Sequence, residues 1–133
     1  MTKTVLMDKY PVFSIEIQKK ETTYKSVDEI IEYLKGLVDA HKIAKYIAVF
    51  DHYEHTKSIE DCIINPEIKG AKNLIFCFGK QLPSCKMLAV RPRSIGVCEL
   101  ENSFSIDILQ VPNEELHTLT ESWIKSIANI AVN

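Results

Sequence analysis

The sequence predicts an α+β fold: a two-layer sandwich in which two helices cover one face of a mainly antiparallel sheet of about five strands, in the order β-α-β-β-β-β-α. Three observations predict it. Two stretches, 27–41 and 114–130, carry apolar residues at helical spacing behind a capping residue. Other stretches alternate apolar and polar residues with a period of two. Between Ser94 and Leu109, two such stretches are joined by a short turn, which makes them antiparallel neighbours.

The elements follow in order. Phe13, Ile15 and Ile17 alternate with Ser14, Glu16 and Gln18, which predicts a strand over 12–20 with one buried face. Ser26-Val27-Asp28-Glu29 fits a capping box, the serine hydroxyl accepting from the Glu29 N–H while the Glu29 carboxylate reaches back. Behind it, Val27, Ile30, Ile31, Leu34, Leu37 and Val38 form an apolar stripe, and Asp28, Glu29, Glu32, Lys35 and Asp39 take the wet side. Tyr46 to His55 reads as a second strand, apolar first and polar later. Residues 56–72 contain Asn65-Pro66 and Gly70 and read as a connection, with a helical turn around Ile59 to Ile63.

Leu74 to Phe78 is apolar at every position, the pattern of a strand covered on both sides or by a partner chain, and Gly79 stops it. Ile95 to Leu100 and Ser103 to Leu109 flank the turn pair Glu101-Asn102. In the second of these strands Phe104, Ile106 and Ile108 alternate with Ser105 and Asp107, so one face is buried. Asn113 caps the last helix, Glu114 and Glu115 suit its positive end, and Leu116, Leu119, Trp123, Ile124, Ile127 and Ile130 form its core stripe. With no repeat, low-complexity run or flexible linker, residues 1–133 read as one domain.

Composition excludes several classes. Sixteen basic against 18 acidic side chains give a net charge of −2, which argues against a nucleic-acid footprint. No apolar run approaches the roughly 20 residues that span a bilayer, and Asp8 and Lys9 interrupt the start before a secretory signal could form. A cytoplasmic location follows as the expectation, with all four cysteines reduced.

The strand closed by Gly79, then Leu88 and Pro92 in the crossing, Ile95-Gly96-Val97-Cys98-Glu99, Ser105-Ile106-Asp107 and Pro112 before the last helix resemble the bacterial group called domain of unknown function 302. The likeness spans roughly residues 12–112. The chain departs from that pattern at Lys80-Gln81 and at Arg93-Ser94. The resemblance implies a small bacterial α+β protein that tends to dimerise, and it implies no catalytic residue.

The chemical candidates are few. Asp51-His52-Tyr53-Glu54-His55 is the densest polar cluster; on a strand, Asp51 and His55 would share one face, and His52 and Glu54 the other. Neither face alone supplies the three or four ligands of a zinc site; Cys77 or His117 could add to one across the fold, but a solvated strand end is the favoured reading, and no metal or other cofactor is expected. No C-x-x-C pair occurs; Cys77 and Cys98 sit in apolar strands, whereas Cys85 lies in a linker beside Lys86, the setting of a reactive thiol. Arg91-Pro92-Arg93 holds two guanidiniums on a rigid turn, a fork for a carboxylate or phosphate, unless both pair with Glu99, Glu101 or Asp107. No Walker loop, G-x-G-x-x-G, G-x-S-x-G or H-E-x-x-H motif is present.

Two functions fit these residues. One is a homodimeric, non-enzymatic binding or interaction module, its ligand an anionic small molecule near Arg91, Arg93, Asp51, His55 and Cys85. The other is a small enzyme or thiol-based sensor using Cys85 or Cys77 with a histidine. The homodimer is expected because the 74–78 strand and the two-sided pattern at 46–50 carry more apolar surface than two helices cover.

Overall fold

In the computed structural model, which describes residues 1–129, six strands form one antiparallel sheet in the order β1-β2-β6-β5-β4-β3. The strands are β1 (Thr2–Leu6), β2 (Tyr10–Gln18), β3 (Ala44–Asp51), β4 (Gly70–Phe78), β5 (Arg93–Glu99) and β6 (Ser103–Leu109). Helix α1 (Val27–Ala40) joins β2 to β3, the short α2 (His52–Lys57) follows β3, and α3 (Glu114–Lys125) follows β6. No helix among the described residues is long and apolar enough to cross a membrane.

The alternation read from the sequence sets the buried face. Ile15 and Ile17, Leu74, Phe76 and Phe78, Ile95 and Val97, and Phe104, Ile106 and Ile108 all point to one side, where they meet Ile30, Ile31, Leu34 and Val38 of α1 and Trp123 and Ile124 of α3. Trp123 stacks on Phe78 at 5.7 Å between centroids and meets Phe76 edge-on, which adds ring-pair attraction to area burial. Ile127 belongs to this core; Ile130, expected to extend the stripe, lies outside the described residues.

Both long helices start as the capping signals require. Ser26 Oγ accepts from Glu29 N–H, and Asn113 Oδ1 from Leu116 N–H. The reciprocal arm of the first box differs: the Glu29 carboxylate accepts from the Lys25 N–H, one residue earlier.

Four features depart from expectation. An extra strand, β1, precedes the one predicted; its five residues are exposed, so no buried alternation marks it. The turn after it places Met7 and Asp8 at positive φ, as a tight hairpin requires, without the glycine that would signal it. The strand expected over Tyr46 to His55 ends at Asp51, and the helical turn expected at 59–63 lies at 52–57 instead. Asp51 accepts from the Glu54 N–H, and Lys57 sits at the negative end, so local capping overrides extension. Finally, β4 starts at Gly70, and only one of its faces is fully covered: Leu74, Phe76 and Phe78 are buried, Ile75 and Cys77 half-buried.

A bulge resolves the two-sided pattern of β3. Tyr46 lies opposite Phe76 but Ala48 opposite Ile75, so Ile47 is an extra residue and the face assignment switches there. Ala44 and Tyr46 face the helices, and Ala48 and Phe50 face away.

Candidate functional site

Among the described residues, neither α1 nor α3 lies over the opposite sheet face, which only the short α2 and the crossing segment border, and strand register puts one residue from every strand in a row across it. Thr2 lies opposite Ser14, Ser14 opposite Asp107, Asp107 opposite Gly96, Gly96 opposite Asn73, and Asn73 opposite Phe50. Neighbours in such a row are spaced by the strand separation, about 4.8 Å. Five of the six are polar or glycine, in a position where the buried face has isoleucine, leucine and phenylalanine.

The polar members are held by one another. Ser14 Oγ donates to Asp107 Oδ1, and Ser105 Oγ donates to Asp107 Oδ2 at 2.8 Å. Asn73 Nδ2 donates to Ser94 Oγ at 2.9 Å, and Asn73 Oδ1 is 3.1 Å from His52 Nδ1. Phe50 packs against the rings of His52 and His55. The half-buried Asp107 has no lysine, arginine or histidine paired with it among the described residues. Its charge is felt nearby. Burial first, and then the Asp107 and Glu99 carboxylates, push the Cys98 thiol above its ordinary pKa.

Over this row lies a cleft of about 740 Å³. Ser14, Asn73, Gly96 and Asp107 form its floor, Val12 and Leu109 one wall, Leu6 the far rim, and Ala89, Val90 and Pro92 of the crossing segment the roof side. Gly96 keeps the floor low. A Cβ there would make ordinary contacts, 3.5 Å to the Asp107 carbonyl and 3.7 Å to Asn73 Nδ2, so any larger side chain would project into the cleft.

The residues singled out from the sequence are placed apart. Arg93 lines the cleft, but its guanidinium donates to the carbonyls of Val90, Leu109 and Gln110, tying the crossing to the end of β6; burial lowers its pKa. Arg91 donates to the Gln81 carbonyl at 2.6 Å and lies over Gly79, where φ is +108° and a Cβ would come within 3.2 Å of Nη2. Both arginines therefore bond backbone carbonyls, and neither pairs with Glu99, Glu101 or Asp107. Cys85 opens an exposed 3-10 turn over Cys85–Ala89 in the same segment.

Asp51 and His55 sit at the other end of the sheet. Asp51 opposes Lys72 and Arg93 opposes Phe76, four residues apart along β4 or about 13 Å. Asp51 is on the helix side, capping α2 and standing 3.7 Å from Lys72. Lys72 bonds Asp28 at 2.6 Å, which holds its ammonium above the ordinary range. His55 is on the open side against Phe50, so the shared strand face expected for Asp51 and His55 does not form. His117 is on the helix side, edge-on to Phe13, and cannot join His52 and His55. No group of three or more metal-ligating side chains occurs among the described residues. All four cysteines are free, and none is hydrogen-bonded to a histidine; the bonded thiols of Cys62, Cys77 and Cys98 meet backbone carbonyls.

Sequence reasoning passed over Ser14, Asn73, Gly96 and Asp107. Ser14 and Asp107 read as the wet side of half-buried strands; their signal was that both wet sides belong to strands that pair.

These features define a class: an antiparallel α+β sandwich whose open sheet face carries a polar-floored cleft. Residues 1–129 match the family described as "Family of unknown function (DUF6858)", and the chain belongs to it. No curated protein and no solved structure matches the chain.

Proposed function

We propose that this chain is a non-enzymatic small-molecule-binding module of the bacterial cytoplasm, acting as a homodimer, with its ligand in the cleft on the open sheet face. The observation that carries the reading is the polar row floored by Gly96. A cleft of about 740 Å³ is within the roughly 300–1,000 Å³ range of ligand sites, and it combines apolar walls with a few converging polar groups. Ser14, Asn73 and Asp107 are already oriented by hydrogen bonds, so little ordering is needed on binding. No cysteine among the described residues is hydrogen-bonded to a histidine, so the geometry offers the thiol-based alternative no paired base.

A second copy would cover the β3 side of the same face, where Ile47 and Phe50 are exposed together beside the bulge. The likeness read from the sequence of residues 12–112 to the bacterial domain of unknown function 302, whose members tend to be dimeric, would favour the same arrangement; the family that the chain matches, DUF6858, is a different one.

A thermal-shift screen of metabolites on the wild type and on Gly96→Val tests the reading. Valine is acceptable in a strand and would project from the floor beside Asp107 and Asn73, so hits that rest on that floor and stabilise the wild type should lose their effect on the variant. Hits that stabilise both equally would place the site elsewhere and refute it.

A further inference from the structure

We propose that the cleft selects a ligand carrying a protonated amine, with Asp107 as its anchor and an apolar body lying along Val12, Val90 and Leu109. The inference rests on the reading of the cleft as a binding site and adds the chemistry of what enters it.

The floor is an array of acceptors. Ser14 and Ser105 each use their hydroxyl hydrogen on a different oxygen of Asp107, which leaves the serine lone pairs and the remaining carboxylate lone pairs open. An ammonium brings three N–H donors and no acceptor, the complement of such an array. Ser94 accepts from Asn73 and keeps its own hydrogen to donate, so a carbonyl or hydroxyl elsewhere on the ligand has one partner.

Charge points the same way. Asp107 is half-buried and, among the described residues, its side-chain partners are two hydroxyls, and a carboxylate in that position gains from an arriving cation. An anion would meet the same carboxylate at short range. Arg93, the one cation among the lining residues, directs its terminal nitrogens to three backbone carbonyls. The anionic ligand expected from Arg91 and Arg93 is thus the less favoured charge type at this floor.

Isothermal titration of the full chain with n-hexylammonium, 1-hexanol and hexanoate, which share a chain length and differ in charge, tests the inference. Hexylammonium should bind about tenfold more tightly than hexanol, the scale of one charge-assisted hydrogen bond, and hexanoate more weakly than both. Asp107→Asn should bring hexylammonium down to the affinity of hexanol, and Gly96→Val should abolish its binding. If Asp107→Asn does not fold, the ligand ranking on the wild type and the Gly96→Val result decide. Hexanol or hexanoate binding as tightly as hexylammonium, and lost in Gly96→Val, would overturn the amine preference while leaving the cleft a site. Hexylammonium binding unchanged in Gly96→Val, or absent from the wild type, would also overturn the inference; in the first case the cleft reading falls with it.

Discussion

The two faces of the sheet are made by the same strands, yet they are built to opposite rules. On the helix side, β2, β4, β5 and β6 present isoleucine, leucine, valine and phenylalanine, nearly all fully buried. On the open side the same strands present Ser14, Asn73, Gly96, Cys98, Ser105 and Asp107 alongside the half-buried Ile75 and Cys77, and exposed apolar groups ring them at Leu6, Val90, Leu109 and Phe50. One face is held by area removed from water, the other by short hydrogen bonds between side chains. A face meant only to meet solvent has no need of a carboxylate clasped by two hydroxyls or of a glycine at its centre. The difference separates the part that folds the chain from the part available for recognition.

The comparison breaks most readily at the core. Phe76→Ala removes a fully buried ring that contacts Phe78 and Trp123, and should cost about 3–5 kcal/mol. That is a large share of the roughly 5–15 kcal/mol of a typical domain, so urea unfolding should show a much lower midpoint. Next comes the helix layer's own support: Ser26→Ala deletes the N-cap bond to Glu29 and should cost about 1 kcal/mol by the same measurement.

Substitutions on the open face should scarcely register in stability. Gly96→Val, with ordinary contacts for its Cβ and no positive φ, should leave the unfolding free energy unchanged or raise it by up to about 1 kcal/mol. Phe50→Glu should likewise change unfolding by less than about 0.5 kcal/mol in the monomer. Its effect should fall on assembly: the proposed homodimer predicts a dimeric wild type and a monomeric variant by light scattering. Phe78 could not serve in this test, because it is buried under Trp123.

The finest distinction is in the thiols. Exposed Cys62 and Cys85 should be alkylated quickly in the native protein at neutral pH, and half-buried Cys98 slowly. A raised pKa means a smaller thiolate fraction at neutral pH, so the Cys98 rate should climb as pH is raised beyond the ordinary thiol range. Asp107→Asn removes one of the two repelling charges and should quicken Cys98 at fixed pH, as read by mass spectrometry.

The helix-side face was legible in the sequence because its signals are local. Ile30 and Leu34, or Phe104 and Ile106, announce their face from positions two to four residues apart, and Ser26 and Asn113 mark where helices begin. The open face is non-local. Ser14, Gly96, Asn73 and Asp107 meet only through register across four strands, and each by itself looks like a solvated strand position. The bulge at Ile47 compounds this by switching the face of Phe50 relative to Tyr46. At Arg91 and Arg93 the turn chemistry singled out the crossing segment, of which Arg93 borders the cleft, while the Leu109 and Gln110 carbonyls that hold Arg93 depend on where β6 ends. At 52–57, the Asp51 cap competed with a strand pattern and won.

The most direct test of the central claim is to map, by amide chemical-shift perturbation, where the hits of the metabolite screen bind. The account predicts shifts centred on Ser14, Asn73, Gly96 and Asp107, with Val90 at the edge and Ile30, Leu34 and Trp123 unmoved. Shifts centred instead on the helix layer, or confined to the exposed turn at Cys85, would contradict it.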